Sequence, residues 1–246
     1  MNVKDIIVKP ITQKSAKELV CQYHYSGSVA MTSQLHFGVF LDGKCGGAMQ
    51  FGSSIDKNKT IGLVEGTKWN GFIELNRMAF ADWLPKNSES RSISVALRII
   101  KKQYPHIEWV LSYADGTQCG DGTIYRASGF VLTAIKKNKT IMRLPDGKIV
   151  TDKTLNSHPV QNSGWWKKRG ATSLAGFQLR YIYFLNPEAK KRLSVPIVPF
   201  SEIDKAGAKM YKGKVFCVSS ADSGTLGFQP RGGGANPTDT LLSPIK

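Results

Sequence analysis

Residues 74–94 read ELNRMAFADWLPKNSESRSIS, and the change of period inside this stretch decides the fold. Leading into it, Gly71–Phe80 sets Ile73, Leu75 and Met78 among polar residues, the pattern of a strand. Downstream, from Ser90 to Tyr104, apolar residues fall at Ile93, Ala96, Leu97, Ile99 and Ile100, with Lys101 and Lys102 closing the run. That is an amphipathic helix whose cations complement its carboxyl end, and Pro105 stops it. A strand, a polar loop and a helix start bring free N–H groups and a positive helix end together, which favours an anion. Ser88, Ser90 and Ser92 add hydroxyl donors and Arg91 a charge. With Met78 they form the candidate donor-binding set.

Working outward, KDIIVK at 4–9 reads as a first strand, and Thr12 or Ser15 caps a helix carrying Ala16, Leu19, Val20 and Tyr23 on one face. Leu35–Leu41 and Gly46–Phe51 flank Asp42-Gly43, a strong hairpin signal. Residues 52–70 are polar and read as a loop. On the other side, Trp109–Tyr113 is a buried strand, Gly122–Ser128 a short helix ended by Gly129, Phe130–Ile135 a strand and Gln178–Phe184 a late alternating strand. The order β-α-β-β-β-α-β-α-β…β gives a mixed α/β fold with a topological switch, where ligands commonly sit at strand ends. The expected division is a catalytic domain over residues 1–200 with a basic insertion at 136–177, and an extension over 201–246 that is flexible after about 213.

Thirty-four lysines and arginines stand against 18 aspartates and glutamates in 246 residues, a net charge of +16. Such an excess is self-repelling and points to a polyanionic partner. Duplex DNA, with about one charge per 1.7 Å of axis, rewards distributed cations by counterion release. Nine of the cations fall in the insertion, between Lys136 and Arg169, which makes it the leading DNA-contact region. No apolar run approaches the roughly 20 residues of a membrane span. The start, MNVKDIIVKP, carries charges inside its short apolar run, so the expected location is the cytoplasm. Cys21, Cys45, Cys119 and Cys217 include no CxxC pair, which argues against a zinc ribbon.

ELNRMAF at 74–80, SYADGTQCGDGTIYRASGF at 112–130 and RYIYFLNP at 180–187 resemble the Mom proteins of Mu-like phages, over roughly residues 5–187. The strand-loop-helix order around them is similar to the GCN5-related N-acetyltransferase fold, although the glycine-rich loop typical of that fold is absent. The Mom resemblance implies conversion of adenine in DNA to N6-carbamoylmethyladenine, which protects phage DNA from host restriction. Double-stranded DNA is then the partner. The acyl donor is acetyl-coenzyme A or an aminoacyl donor such as glycyl-tRNA. Acetyl-coenzyme A alone lacks the extra nitrogen of that product.

The exocyclic amine of adenine is a poor nucleophile inside a base stack, so an enzyme must flip the base, stack it and manage a proton. Glu74 and Asp115 lie at or near strand ends and are the proton-handling candidates, with Asn76 beside them. Strand alternation points Glu74 and Asn76 to one face and Arg77 to the other. Arg77 orients a phosphate or pairs with an acid. Asp115 and Asp121 bracket a flexible loop, although an aspartate before glycine also makes an Asx turn. Tyr125 resembles the position from which acetyltransferases supply an acid to the departing thiolate. Trp69, Trp83, Tyr113, Tyr125, Trp165 and Trp166 are the stacking candidates. WWKKRG at 165–170, with Lys167, Lys168 and Arg169, suits base stacking on a basic loop. Cys119 reads as a buried thiol rather than a nucleophile. His24 and His36 could meet only if the first helix packs over the hairpin, so no metal is expected. Two other functions fit the composition: an acyl-CoA-dependent N-acetyltransferase acting on a small amine or protein, and a DNA-binding protein without catalysis.

Overall fold

The computed structural model describes residues 2–117 and 120–208, with the backbone of 210–211 and 214–215. Cys119 and nearly all of the extension beyond 213 lie outside the described residues. The strands are β1 (Ile7–Pro10), β2 (Ser33–Leu41), β3 (Lys44–Gly52), β4 (Phe72–Phe80), β5 (Trp109–Asp115), β6 (Val131–Asn138), β7 (Ile141–Arg143), β8 (Ile149–Thr151), β9 (Thr172–Ser173) and β10 (Gly176–Phe184). Seven of them form one mixed sheet in the order β1-β2-β3-β4-β5-β10-β6. The helices are α1 (Gln13–Tyr23), α2 (Lys57–Thr60), α3 (Ser88–Gln103), α4 (Thr123–Ala127), α5 (Asp152–Asn156), α6 (Ser163–Lys167), α7 (Pro187–Lys191) and α8 (Ser201–Lys205).

Local chemistry sets the boundaries. Thr12 caps α1 by accepting from the Ser15 N–H at 3.1 Å. Asp42 and Gly43, with φ of 49° and 76°, make the tight turn between β2 and β3 that only such residues adopt readily. The first strand is shorter than KDIIVK. Asn2 accepts from the Lys4 N–H at 2.9 Å and closes a 3-10 turn over Val3–Asp5, so β1 begins at Ile7. The 52–70 stretch is not a plain loop: α2 and a 3-10 turn at Ile61–Leu63 deliver Leu63 and Val64 onto Phe72 and Trp109.

The parallel pair is the hinge of the architecture. β4 and β5 pair only at Phe72–Trp109, Ile73–Val110 and Glu74–Leu111; further along, β4 keeps β3 as partner and β5 keeps β10. Beyond Glu74 the two strands part. The closed end is pinned by Trp109, which is fully buried, stacks on Phe72 at 4.3 Å and donates its indole N–H to Thr67 at 3.0 Å. On one side of the sheet α3 and α4 cover Met49, Phe51, Leu75 and Val110. On the other, Ala16 and Val20 of α1 pack on Ala48 and Ala79, while Leu63, Val64 and Ala189 cover Trp109, Leu111 and Ile182.

The basic insertion is built rather than loose. β7, β8 and β9 form a three-stranded sheet in the order β8-β7-β9, and Met142, Leu144, Leu155 and Ala171 give it a core of its own with Trp166 against it. Lys214–Val215 pair with Met210–Tyr211 as a short antiparallel ribbon. No described helix is long and apolar enough to cross a membrane.

Candidate active site

The α1 side of the sheet has two apolar covers, and polar side chains fill the gap between them at the level where β4 and β5 part. Gln50 pairs with Arg77 and Phe51 with Leu75, which leaves Asn76 as the extra residue of a β-bulge on β4. Simple alternation would send Arg77 to the opposite face from Glu74. The bulge returns it instead, and Leu75 and Met78 both join the α3-side core. Glu74, Arg77 and Ala79 therefore share the α1 side.

Glu74 is half-buried, and burial pushes its carboxyl above the usual range. Hydrogen bonds from Ser54 and Asn76 and the charges of Arg77 and Lys153 oppose that rise. Lys153 belongs to α5, so the insertion brings a cation to the same acid. Asn76 is held rigidly: its Oδ1 accepts from Ser33 at 3.1 Å and its Nδ2 donates to the Ser53 carbonyl at 3.3 Å. Arg77 donates from Nε to the Ser28 carbonyl at 3.1 Å and from Nη1 to the Asn76 carbonyl at 2.7 Å, which ties the segment after α1 to β4.

Across the opening, Tyr113 of β5 stands in register with Arg180 of β10, and Asp115 with Gln178. Gln178 is in turn in register with Lys136 of β6. Tyr113, Lys136, Gln178 and Arg180 line one small pocket. Burial, then the charge of Glu74, raise the Tyr113 phenol, so it stays a neutral donor. Arg180 donates from Nε to the Thr133 hydroxyl at 2.9 Å and from Nη2 to the Thr133 carbonyl at 3.3 Å. The arrangement offers a desolvated carboxylate to take a proton, a phenol to give a hydrogen bond and guanidinium and ammonium groups for an anion.

Other sequence candidates are placed differently. Asp115 accepts the Thr117 N–H at 2.9 Å, an Asx turn, and by alternation lies on the Tyr113 side. Asp121 accepts from Thr123 N and Oγ1 at 3.0 and 2.6 Å and from Arg126 at 3.4 Å, and so anchors the start of α4. Gly122 is required there, since its φ is 76° and an added Cβ would sit 2.5 Å from the Tyr181 ring. Tyr125 is buried on the α3 side, with its ring 5.3 Å from Tyr181 and 5.4 Å from Phe130. It does not share a face with Glu74 and Asp115.

At the start of α3, Ser88 donates to the Pro85 carbonyl and Ser90 to the Asn87 carbonyl at 3.2 Å, so both hydroxyls are engaged by backbone. Ser92 Oγ, Arg91 Nε and, on β5, Ser112 Oγ are buried without a hydrogen-bond partner among the described residues. Met78 packs against the α3-side core. Trp165 and Trp166 meet edge to face at 4.9 Å, and Arg169 lies 3.6 Å over the Trp165 ring. Trp166 also supports the insertion's own core, while Lys167, Lys168 and Arg169 are exposed.

α1 does pack over the β2–β3 hairpin, but each histidine is engaged locally. His24 Nδ1 accepts the Ser26 N–H at 3.1 Å, and burial, then the charge of Arg77, lower its pKa to about 4. His36 Nδ1 faces Gln50 Nε2 at 3.3 Å. Among the described residues no group of three or more His, Cys, Asp or Glu side chains could hold a metal ion. Sequence reasoning counted Lys136 and Lys153 only among the insertion's DNA-contact cations, and gave Arg180 and Gln178 no site role. An arginine inside the otherwise apolar RYIYF strand was the one signal available for them.

The family model of the Mom protein family matches residues 5–202. The methylcarbamoylase Mom of Escherichia phage Mu is 35% identical over 204 residues, covering 79% of this chain and 81% of that protein. Among solved structures, an IAA acetyltransferase from Bacillus cereus is 10% identical with a TM-score of 0.42, over 73% of this chain and 99% of its own. An acetyltransferase from Bacillus subtilis in complex with CoA is 11% identical with a TM-score of 0.41, over 73% and 97%. Those overlays are loose, and the acetyltransferase-like α/β fold is carried by the strand order and the splayed parallel pair. On the matched span and the identity to its phage relative, the chain belongs to the Mom protein family.

Proposed function

We propose that this protein modifies DNA, joining an activated acyl group to the exocyclic amine of adenine so that N6-carbamoylmethyladenine results and phage DNA is shielded from host restriction. The observation that carries the reading is Glu74, a carboxyl raised by burial and placed beside Tyr113 where the sheet opens, within reach of the charge of Lys153 from the basic insertion. The name of the phage Mu relative, a methylcarbamoylase, supports the same reaction class. A delocalised amine needs a base at the moment of attack, and a carboxylate poised nearer neutrality meets that need better than an ordinary one. The base leaves the duplex to reach it, with Trp165 and the cations Lys167, Lys168 and Arg169 holding the opened strand.

The opening between β4 and β5 fits a donor chain. Ser92 and Ser112 offer buried hydroxyls without partners among the described residues on the α3 side, and Arg91 adds a guanidinium at the positive end of α3. Ser88 and Ser90 would have to release their carbonyls to take part. Bound there, acetyl-coenzyme A or a glycyl ester such as glycyl-tRNA supplies an activated carbonyl. The glycyl donor also supplies the nitrogen of the product. With it, Glu74 takes the proton as the adenine amine attacks the glycyl carbonyl, and the neutral Tyr113 phenol on the same face gives a proton to the leaving oxygen as the ester C–O bond breaks. The glycyl amine then attacks C6, the original C6–N bond breaks, and the displaced nitrogen becomes the carboxamide. Asn76 and Asp115 hold the opening in shape.

Incubating the protein and DNA with glycyl-tRNA labelled in carbon and nitrogen tests the donor. Labelled N6-carbamoylmethyladenine is the expected product. Modified adenine without label rejects the glycyl donor. Unmodified DNA with acetylation of a small amine from acetyl-coenzyme A supports the ordinary N-acetyltransferase instead.

A further inference from the structure

On the α1 side, next to the opening, a second cleft runs between α1 and the segment that follows it. Lys14 and Lys17 stand on one wall, Val29, Ala30 and Met31 on the other, and Gln50 of β3 forms the end. Gln50 is only 1% exposed. Its Nε2 is 3.3 Å from His36 Nδ1, and its Oε1 has no hydrogen-bond partner among the described residues. Buried carbonyl oxygens are nearly always paired, so an unpaired acceptor on a residue that lines the cleft is a feature to be explained. The segment 29–31 is fixed on the sheet by Arg77, whose Nε holds the Ser28 carbonyl.

We infer that Gln50 reads the target base: its Oε1 accepts an N–H from the exocyclic amine, Lys14 and Lys17 hold the flanking phosphate, and the ring lies against Val29, Ala30 and Met31. The inference rests on the proposed DNA modification and names the recognition element for it. Adenine and cytosine present an amine at that edge, whereas guanine and thymine present a carbonyl oxygen that would face Oε1 as acceptor against acceptor. A glutamine suits adenine in particular among the purines. With Nε2 facing His36 Nδ1, the amide oxygen is the atom of Gln50 left to accept, and it meets the base edge as the base seats at the end of the cleft. Gly52, two residues further along β3, is the register partner of Glu74. Two strand steps, about 6.6 Å, therefore separate the reading position from the level of the acid. The amine held by Gln50 is thus brought near the acid, which takes its proton only at the moment of attack.

The test measures fluorescence anisotropy of labelled duplexes carrying, at one unpaired position, adenine, an unsubstituted purine without the amine, or an abasic site. The wild type is expected to bind the adenine duplex about tenfold more tightly than the other two. Gln50→Met should bring all three to the same affinity. Lys14→Ala with Lys17→Ala, both exposed, should weaken all three alike. Equal wild-type affinity for adenine and unsubstituted purine would overturn the inference, as would a preference that survives Gln50→Met. Failure of the wild type to bind any duplex would overturn the DNA reading along with it.

Discussion

Glu74→Gln should lower the rate of DNA modification by about 10²- to 10⁴-fold while leaving DNA affinity unchanged. The substitution keeps the size and one oxygen that can accept from Ser54 or Asn76, and replaces the other oxygen with an amide NH2 that cannot take a proton. Its effect on stability runs the other way. Burial is the largest influence on this carboxyl and raises its folded pKa above the unfolded one. The ionised form is thus the disfavoured one, and the acid's favourable contribution is complete below the unfolded pKa and lost as pH rises through the folded value. Wild type and variant should melt together near pH 4, and the variant should melt higher at pH 8. The wild-type rate should fall on acidification at a higher pH than an ordinary glutamate would give, and the variant's residual rate should lack that limb. Full activity of Glu74→Gln would remove it from the mechanism.

Neutralising Lys167, Lys168 and Arg169 together should weaken DNA binding on the order of 10²-fold at 0.15 M salt and reduce the salt slope by about 2.7. The arithmetic is that of three released counterions at about 0.9 each. The three cations are exposed at the end of α6 and just after it, and only Arg169 has a partner ring, Trp165 at 3.6 Å. Their removal leaves the insertion's core of Met142, Leu144, Leu155 and Ala171 untouched, so the folded state should persist. Affinity and slope measured by titration against salt decide it. An unchanged slope would mean that this edge of the insertion does not meet phosphate.

Local signals carried the sheet and its helices. The 3.6-residue period of α3 and the Asp42-Gly43 turn are properties of neighbouring residues, and both stand where periodicity and turn chemistry put them. The site was legible only one residue at a time. Glu74 could be named from its strand, but the face that Arg77 takes depends on a bulge set by pairing with β3, which no alternation rule contains. The Tyr113–Arg180 pair depends on β10 entering the sheet between β5 and β6, some 65 residues later in the chain. Gln50 gave no signal at all, because a polar residue on a strand marks a site only once its burial and its missing donor are known. The insertion read as a basic loop because its core residues are spread over short elements without a period.

The most direct measurement is mass spectrometry of nucleosides from DNA of cells that co-express this protein. Deoxyadenosine carrying a carbamoylmethyl group on N6 is expected, and should be absent from cells that express Glu74→Gln. Unmodified nucleosides from cells that contain the folded wild-type protein and its donor would contradict that expectation.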